Sequence, residues 1–205
     1  MKTEHIEVYG LQASMRAARN PMNSWHKSDS SISISQIKNK EGFVLGEADA
    51  KLSSKLTKAG GEHCKHLRLI NVWMDIEAPR YWWQELDTYK HIEKVSCSTM
   101  HKLFERDLKL NDFENGEKNG FYLVDTVIEL KKIRKEYMGT QNKELLLLAK
   151  DILPESFLQR RTINTNYQQL LNIYKQRKNH KLPQWKTMCR EIEKLPYFKE
   201  LTGGN

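Results

Sequence analysis

NYQQLLNIYKQRKNHKLPQW, Asn166 to Trp185, is the stretch from which the rest of the chain is read. On a helix, Tyr167, Leu170, Leu171 and Tyr174 fall at i, i+3, i+4 and i+7 and form one apolar face. At about 100° per residue, Asn166, Gln169, Gln176, Arg177 and His180 gather on a neighbouring face, where Ile173 is the one apolar residue. One side can join a core. The other offers amides, a guanidinium and an imidazole, groups that hold a phosphate or a flat heterocycle. An ordinary amphipathic helix with a wet polar face has the same pattern, so the neighbouring sequence has to decide.

Downstream, Leu182-Pro183 ends that segment, and a last helix is expected over Gln184–Leu195, stopped by Pro196. Upstream, Leu153-Pro154 closes a helix over Asn142–Ile152 whose LLLLA core is apolar on most sides. It is expected to be central or at a subunit contact. A longer helix is expected over Phe121–Tyr137, through Leu123, Val127 and Leu130, ending at Gly139. Residues 111–120 form a turn-rich connection. Ahead of them, Ser96, Ser98 and Thr99 precede the periodic run Met100, Leu103, Phe104 and Leu108. This pattern is an N-cap signal and also a place where exposed N–H groups meet phosphate. Cys97 lies within it and reads as a structural thiol.

The first half of the chain supplies the strands. Ile70, Val72, Met74 and Ile76 alternate with polar neighbours, the period of a strand with one buried face. The entry to that strand carries His63, Lys65, His66 and Arg68, read equally as a charged strand entry or as a loop facing an anion or cofactor. Pro79 ends the strand and can open a helix. That helix holds Tyr81, Trp82 and Trp83, read as core or interface packing, and a polar row beginning at Gln84. A short strand is expected at His5–Tyr9, a short helix at Leu11–Ala18 broken by Asn20-Pro21, and a helix at Glu47–Ala59 with Ala48, Leu52, Leu56 and Ala59 on its apolar face. Residues 22–40, rich in Ser, Asn and Lys, read as a mobile loop or short edge strand. The expectation is an α+β, helix-rich single domain over residues 1–205 with a small antiparallel sheet.

The 205 residues carry 34 Lys and Arg against 26 Asp and Glu, a net charge of +8 that suits anionic partners. No block of five like charges occurs, so a dispersed basic surface is favoured over a nucleic-acid groove, and nucleic acid is not the expected partner. No apolar run approaches the roughly 20 residues of a membrane span, and MKTEHIEVYG has no secretory h-region. Cys64, Cys97 and Cys189 form no CxxC pair, which argues against a disulfide framework and a structural zinc and suits a reducing, cytoplasmic setting.

Two stretches together resemble the flavin-dependent thymidylate synthases. Ala149-Lys150, Leu153-Pro154, Asn166-Tyr167-Gln168, Leu170, Asn172, Arg177, His180 and Gln184-Trp185 follow the order and spacing of that family's C-terminal motif, with Gln168 where the family has Arg. His63 before a strand ending Ala78-Pro79 is similar to the first motif, and Arg16-Ala17-Ala18-Arg19 to an early Arg-Ala-Ala-Arg. The Arg-His-Arg signature is absent; from that region Ser98 and the charge of Lys90 remain.

The resemblance implies a flavin-dependent thymidylate synthase-like fold, FAD as cofactor, a folate one-carbon donor, a pyrimidine nucleotide such as dUMP as substrate, and a homo-oligomer, a tetramer in the family. By position it implies Arg177 and Ser98 at the chemistry and Lys150, Arg177, Ser98, Lys90 and Gln84 around the nucleotide. It puts His63, Asn166 and Asn172 toward the cofactor; Gln168 and His180 from the same motif, and Lys65 and Arg68, cations that the family does not place there, are assigned to the cofactor side with them, and no metal is expected. A non-catalytic nucleotide-binding protein on the same scaffold is the competing expectation, and a basic nucleic-acid binder the third.

Overall fold

The computed structural model describes residues 1–33 and 42–204. In chain order the elements are β1 (Lys2–Tyr9), α1 (Leu11–Arg19), β2 (Ser31–Ile32), β3 (Phe43–Val44), α2 (Glu47–Ala59), β4 (Asn71–Pro79), α3 (Arg80–Asp87), β5 (Glu93–Ser96), α4 (Thr99–Lys102), α5 (Gly120–Thr140), α6 (Lys143–Ile152), β6 (Leu158–Asn166), α7 (Tyr167–Arg177), α8 (Pro183–Glu193) and α9 (Phe198–Thr202). The class is α+β and helix-rich. One sheet has the strand order β1-β4-β6-β5, and a separate antiparallel ribbon pairs Ser31 with Val44 and Ile32 with Phe43. Within the expected loop at 22–40, residues up to Ser33 include 3₁₀ turns at Asn20–Met22 and Trp25–Lys27 and the strand β2; residues 34–40 lie outside the described part.

The described residues form two compact units, each assembled from separate stretches. One comprises residues 1–2, 76–90 and 95–162. Its apolar cluster joins Leu103, Phe104, Phe113, Val127, Leu130, Ile133, Leu146 and Ala149, so α5 packs through the expected Val127 and Leu130, joined by Ile133. Of the two expectations for α6, a central place is met on one face only: Leu146 is buried, while Leu147 and Leu148 are 53% and 45% exposed. The apolar stripe is narrower than the LLLLA string because a helix turns two of four consecutive leucines outward. Trp82 and Trp83 are fully buried within the chain, so this aromatic run is core and offers no subunit contact through its indoles. Pro79 is the last strand residue and sits just before α3. The N–H groups of Arg80 and Tyr81 at the helix start donate to the carbonyls of Phe157 (3.1 Å) and Glu155 (3.3 Å).

The second unit comprises Thr3–Asp75, His91–Lys94 and the chain from Ile163 on. Within it, β4 contributes the buried Val72 and Met74. Helix α7 buries Tyr167, Leu170, Leu171, Ile173 and Tyr174, and α9 closes over it with Phe198 edge-on to Tyr167 at 5.3 Å. Helix α2 spans the expected residues but turns a different face inward. Asp49, Ser53 and Thr57 are buried, while Leu52 and Leu56 are only half-buried and Ala48 and Ala59 exposed. The reason is a set of local partners. Arg19 and Asp49, 5% and 1% exposed, pair at 2.6 Å. The Ser53 and Thr57 hydroxyls donate to the Leu201 carbonyl at 2.9 and 3.1 Å. Buried polar groups are stable when bonded in this way. The Asp29 carboxylate caps the start of α2 by accepting from the N–H groups of Ala48 (2.8 Å) and Asp49 (3.0 Å), and the Ala48 bond first of all holds its carboxyl below the usual range.

Candidate functional site

Ser98 lies at the edge of a cleft of about 270 Å³ in the first unit. The cleft is shaped by α4 and the turn before it, by β6, and by the turn at Leu110–Asp112. Its apolar lining is Leu103, Leu108, Phe157 and Leu158; its charged lining includes Lys102, Arg106, Arg160, Glu105 and Asp112. Backbone pairing fixes the serine turn, since the Cys97 N–H donates to the Arg160 carbonyl at 2.9 Å and the Gln159 side chain donates to the Cys97 carbonyl at 2.9 Å. The helix after the turn is shorter than the periodic run implied: α4 ends at Lys102, and Ser98 stands at its N-cap without a side-chain cap bond. Leu103 and Phe104 instead bury themselves in the α5–α6 core from irregular chain. Cys97 is exposed, against the expectation of a structural thiol; Cys64 and Cys189 are the buried ones.

Two cations of the cleft are already matched. Lys102 pairs with Glu105 at 2.9 Å and Arg106 holds Asp112 through both carboxylate oxygens. Burial works to raise the Asp112 carboxyl, but the Arg106 guanidinium and the Lys109 N–H outweigh it and hold it below the ordinary range. Lys150 reaches the same turn from α6, with Nζ 3.0 Å from Met100 Sδ, two residues beyond Ser98. Thioether sulfur is a weak acceptor, so that ammonium remains available to a stronger anion. Gln84 is exposed on α3 and donates to Glu155 at 3.0 Å; Lys90 is exposed in the turn after α3. Ser98, Lys150, Gln84 and Lys90 therefore belong to one unit.

Every residue expected to face the cofactor falls in the other unit. His63, Lys65 and Arg68 lie exposed on the 3₁₀ stretch Gly61–Leu69. Lys65 is paired with Glu62, and Arg68 donates through Nε to Gln168 at 2.5 Å. Asn166 is the N-cap of α7: its side-chain oxygen accepts from the Gln169 N–H at 3.0 Å. Asn172 is exposed on α7. The polar face drawn from the sequence is cut short, because α7 ends at Arg177 and His180 lies in the following turn, its Nδ1 accepting from the Leu182 N–H at 3.2 Å. Arg177 shares this unit, not that of Ser98. Its guanidinium lies 4.7 Å from the centre of the buried Trp185 ring, and His180 meets the same indole edge-on at 6.3 Å.

Several residues escaped the sequence reading. Strands β5 and β6 and helix α9 were not expected. In LQRRTINTN only Leu158 and Ile163 are strongly apolar, five residues apart, and the strand is revealed instead by alternation at its end, with Ile163 and Thr165 buried between more exposed neighbours. Missing β6 meant missing Gln159 and Arg160 in the cleft wall. It also hid Arg161, which stacks on Trp83 at 4.5 Å and bonds both Asp87 oxygens at 3.1 Å. The doublet Arg160-Arg161 among β-branched residues was the available signal. Among the described residues no group of three His, Cys, Asp or Glu could hold a metal ion, and no helix is long and apolar enough to cross a membrane.

No protein-family model and no curated protein sequence matches the chain. Solved structures do. The flavin-dependent thymidylate synthase ThyX from Helicobacter pylori, complexed with FAD and dUMP, superimposes with a TM-score of 0.72 at 19% identity, covering 98% of this chain and 97% of that one. A second structure of ThyX from the same organism, with FAD and dUMP, gives 0.71 at 18% identity and the same coverage. The fold is that of the flavin-dependent thymidylate synthases, as the resemblance implied.

Proposed function

We propose that this protein is a divergent flavin-dependent thymidylate synthase-like enzyme that acts on a pyrimidine nucleotide of the dUMP type. The observation that carries the reading is the near-full-length likeness to ThyX structures holding FAD and dUMP. In this reading Ser98, Lys150, Lys90 and Gln84 bind the nucleotide and Arg177 supplies a further cation. Lysines in place of arginines hold phosphate as point charges and lose the bidentate fork. The donor groups of the second unit fit FAD: Arg68 presents a guanidinium beside the Gln168 amide, Asn172 exposes its carboxamide, and Asn166 commits only its oxygen to the helix cap. His63, Lys65 and His180 complete the set. When bound, the flavin supplies the redox step and a folate the one-carbon unit, while the chain supplies binding, orientation and exclusion of water. The working assembly is a homo-oligomer.

The visible absorption spectrum of the purified protein, followed by titration with dUMP, tests this. Flavin bands together with saturable dUMP binding are expected; a protein that neither retains nor takes up flavin and shows no dUMP-dependent chemistry removes the reading. Arg177→Ala should weaken nucleotide binding more than Arg134→Ala, whose guanidinium is engaged with the Phe104 carbonyl and Asp107. Equal dissociation constants would take Arg177 out of the site. A second reading, a non-catalytic nucleotide binder, is favoured by the pre-paired Lys102 and Arg106. Thermal stabilisation by nucleotides without any flavin dependence would select it.

A further inference from the structure

Arg161 is held on three sides. It lies two residues after Gln159 on β6, so both side chains leave the same face of the strand. Its Nε and one terminal nitrogen donate to the Gln159 side-chain oxygen at 3.2 and 3.0 Å. The other terminal nitrogen donates to both Asp87 oxygens at 3.1 Å, and the guanidinium lies 4.5 Å from the centre of the buried Trp83 ring. The Gln159 amide thereby acquires a direction. A guanidinium only donates, so the amide oxygen faces it and the NH₂ faces away. There the NH₂ donates to the Cys97 carbonyl at 2.9 Å. Cys97 is bonded at its other backbone end as well, its N–H donating to the Arg160 carbonyl at 2.9 Å. A carboxylate on α3, a guanidinium and an amide on β6, and the backbone just before Ser98 form one chain of hydrogen bonds, all within the first unit.

We propose that Gln159, Arg161 and Asp87 are positioning residues for the nucleotide: they fix the peptide that joins Cys97 to Ser98 and so hold Ser98 in place for the substrate's phosphate. The inference rests on the nucleotide-binding role proposed above for Ser98 and adds the residues that act through it. The turn needs such a hold. Helix α4 after it has only four residues, too few to fix its own start, and the Ser98 hydroxyl makes no cap bond to it. Ser96, Cys97 and Met100 are exposed, so little apolar burial anchors the turn. The bonds from β6 therefore set the place of Ser98 more than they build the core. Lysine cannot replace Arg161, because a single ammonium cannot straddle the amide oxygen, hold the carboxylate and stack on the indole together.

Titration of the full chain with dUMP, flavin present, tests this. Gln159→Met should weaken binding about tenfold. Arg161→Lys keeps the charge and loses the fork, and should weaken it about fivefold, a loss that overall attraction for the anion does not explain. The double variant should be no worse than Gln159→Met alone, since both changes act through one contact; additive losses overturn the inference. Hydrogen exchange read by mass spectrometry supplies the second measurement. In both single variants the amides of residues 96–99 should exchange faster while those of α5 keep their rates. Faster exchange throughout would make these residues supports of the fold alone and overturn the inference. An unaltered chain that binds no dUMP removes the proposed function and the positioning with it. An unaltered chain that binds dUMP, with both variants of equal affinity, sinks the positioning only.

Discussion

Helices α5 and α6 bury leucine, isoleucine, valine and alanine against each other, whereas α2 buries Asp49, Ser53 and Thr57. The first arrangement draws on apolar area removed from water, which tolerates any partner of suitable shape. The second draws on bonds that specific atoms must complete: Arg19 and Ser28 to Asp49, Ser53 and Thr57 to the Leu201 carbonyl, and Ser53 to His66 at 2.8 Å. The Ser53 hydroxyl has one proton, and its donation to Leu201 leaves His66 Nε2 as the donor in the last of these. Polar interiors of this kind are costly when one member is lost, because a desolvated group is left without its partner.

Three substitutions sharpen or break that contrast. Asp49→Ala, by leaving Arg19 buried and unmatched, should cost about 4 kcal/mol in urea denaturation, within the range for a broken buried pair. Leu130→Ala in the apolar cluster should cost about 3 kcal/mol. If the leucine proves the more expensive, the polar interior of α2 is tolerated rather than relied on. Asn166→Ala removes the α7 cap and should cost about 1 kcal/mol by thermal melt. A change as large as that of Asp49 would assign Asn166 more than capping.

The smallest expected effects are in pH. Burial pushes His66 below its ordinary value of 6.5, so its neutral form is the folded one. Its contribution is complete above the unfolded value and is lost as pH falls. The hydrogen bond from Tyr174 to Glu193, with burial, pushes the phenol from 10.0 to about 12. Its contribution is complete below pH 10 and fades as pH rises toward 12. Stability profiles of His66→Gln and Tyr174→Phe should therefore flatten at opposite ends, acid for the first and alkaline for the second. A change at the same end in both would contradict the assignment.

The same contrast explains what could be read in advance. The α5 and α7 cores, the face of β4 and the boundaries of α2 follow from periodicity, because apolar burial repeats every 3.6 or 2 residues along the chain. The inward face of α2 did not, since Asp49, Ser53 and Thr57 look solvated until Arg19 and Leu201 are placed beside them. Strand β6 escaped for a related reason: Arg161 is accommodated by Trp83 and Asp87, residues 74 to 78 positions earlier in the chain.

For the site, the residue types were legible and their grouping was not. By itself the sequence determined the α+β class, most helix positions and the order of motifs that resemble the flavin-dependent thymidylate synthases. Local propensity and short-range spacing act within a few residues, and they are written in consecutive letters. Only the tertiary structure decided that Lys150 reaches Met100, two residues past Ser98, that Gln159 pins the turn at Cys97, that Arg177 rests on Trp185, and that α5 leaves Phe121, Val124 and Ile128 exposed. Each of those depends on which distant side chain arrives to satisfy a charge, a carbonyl or a ring, and no local pattern encodes the arrival.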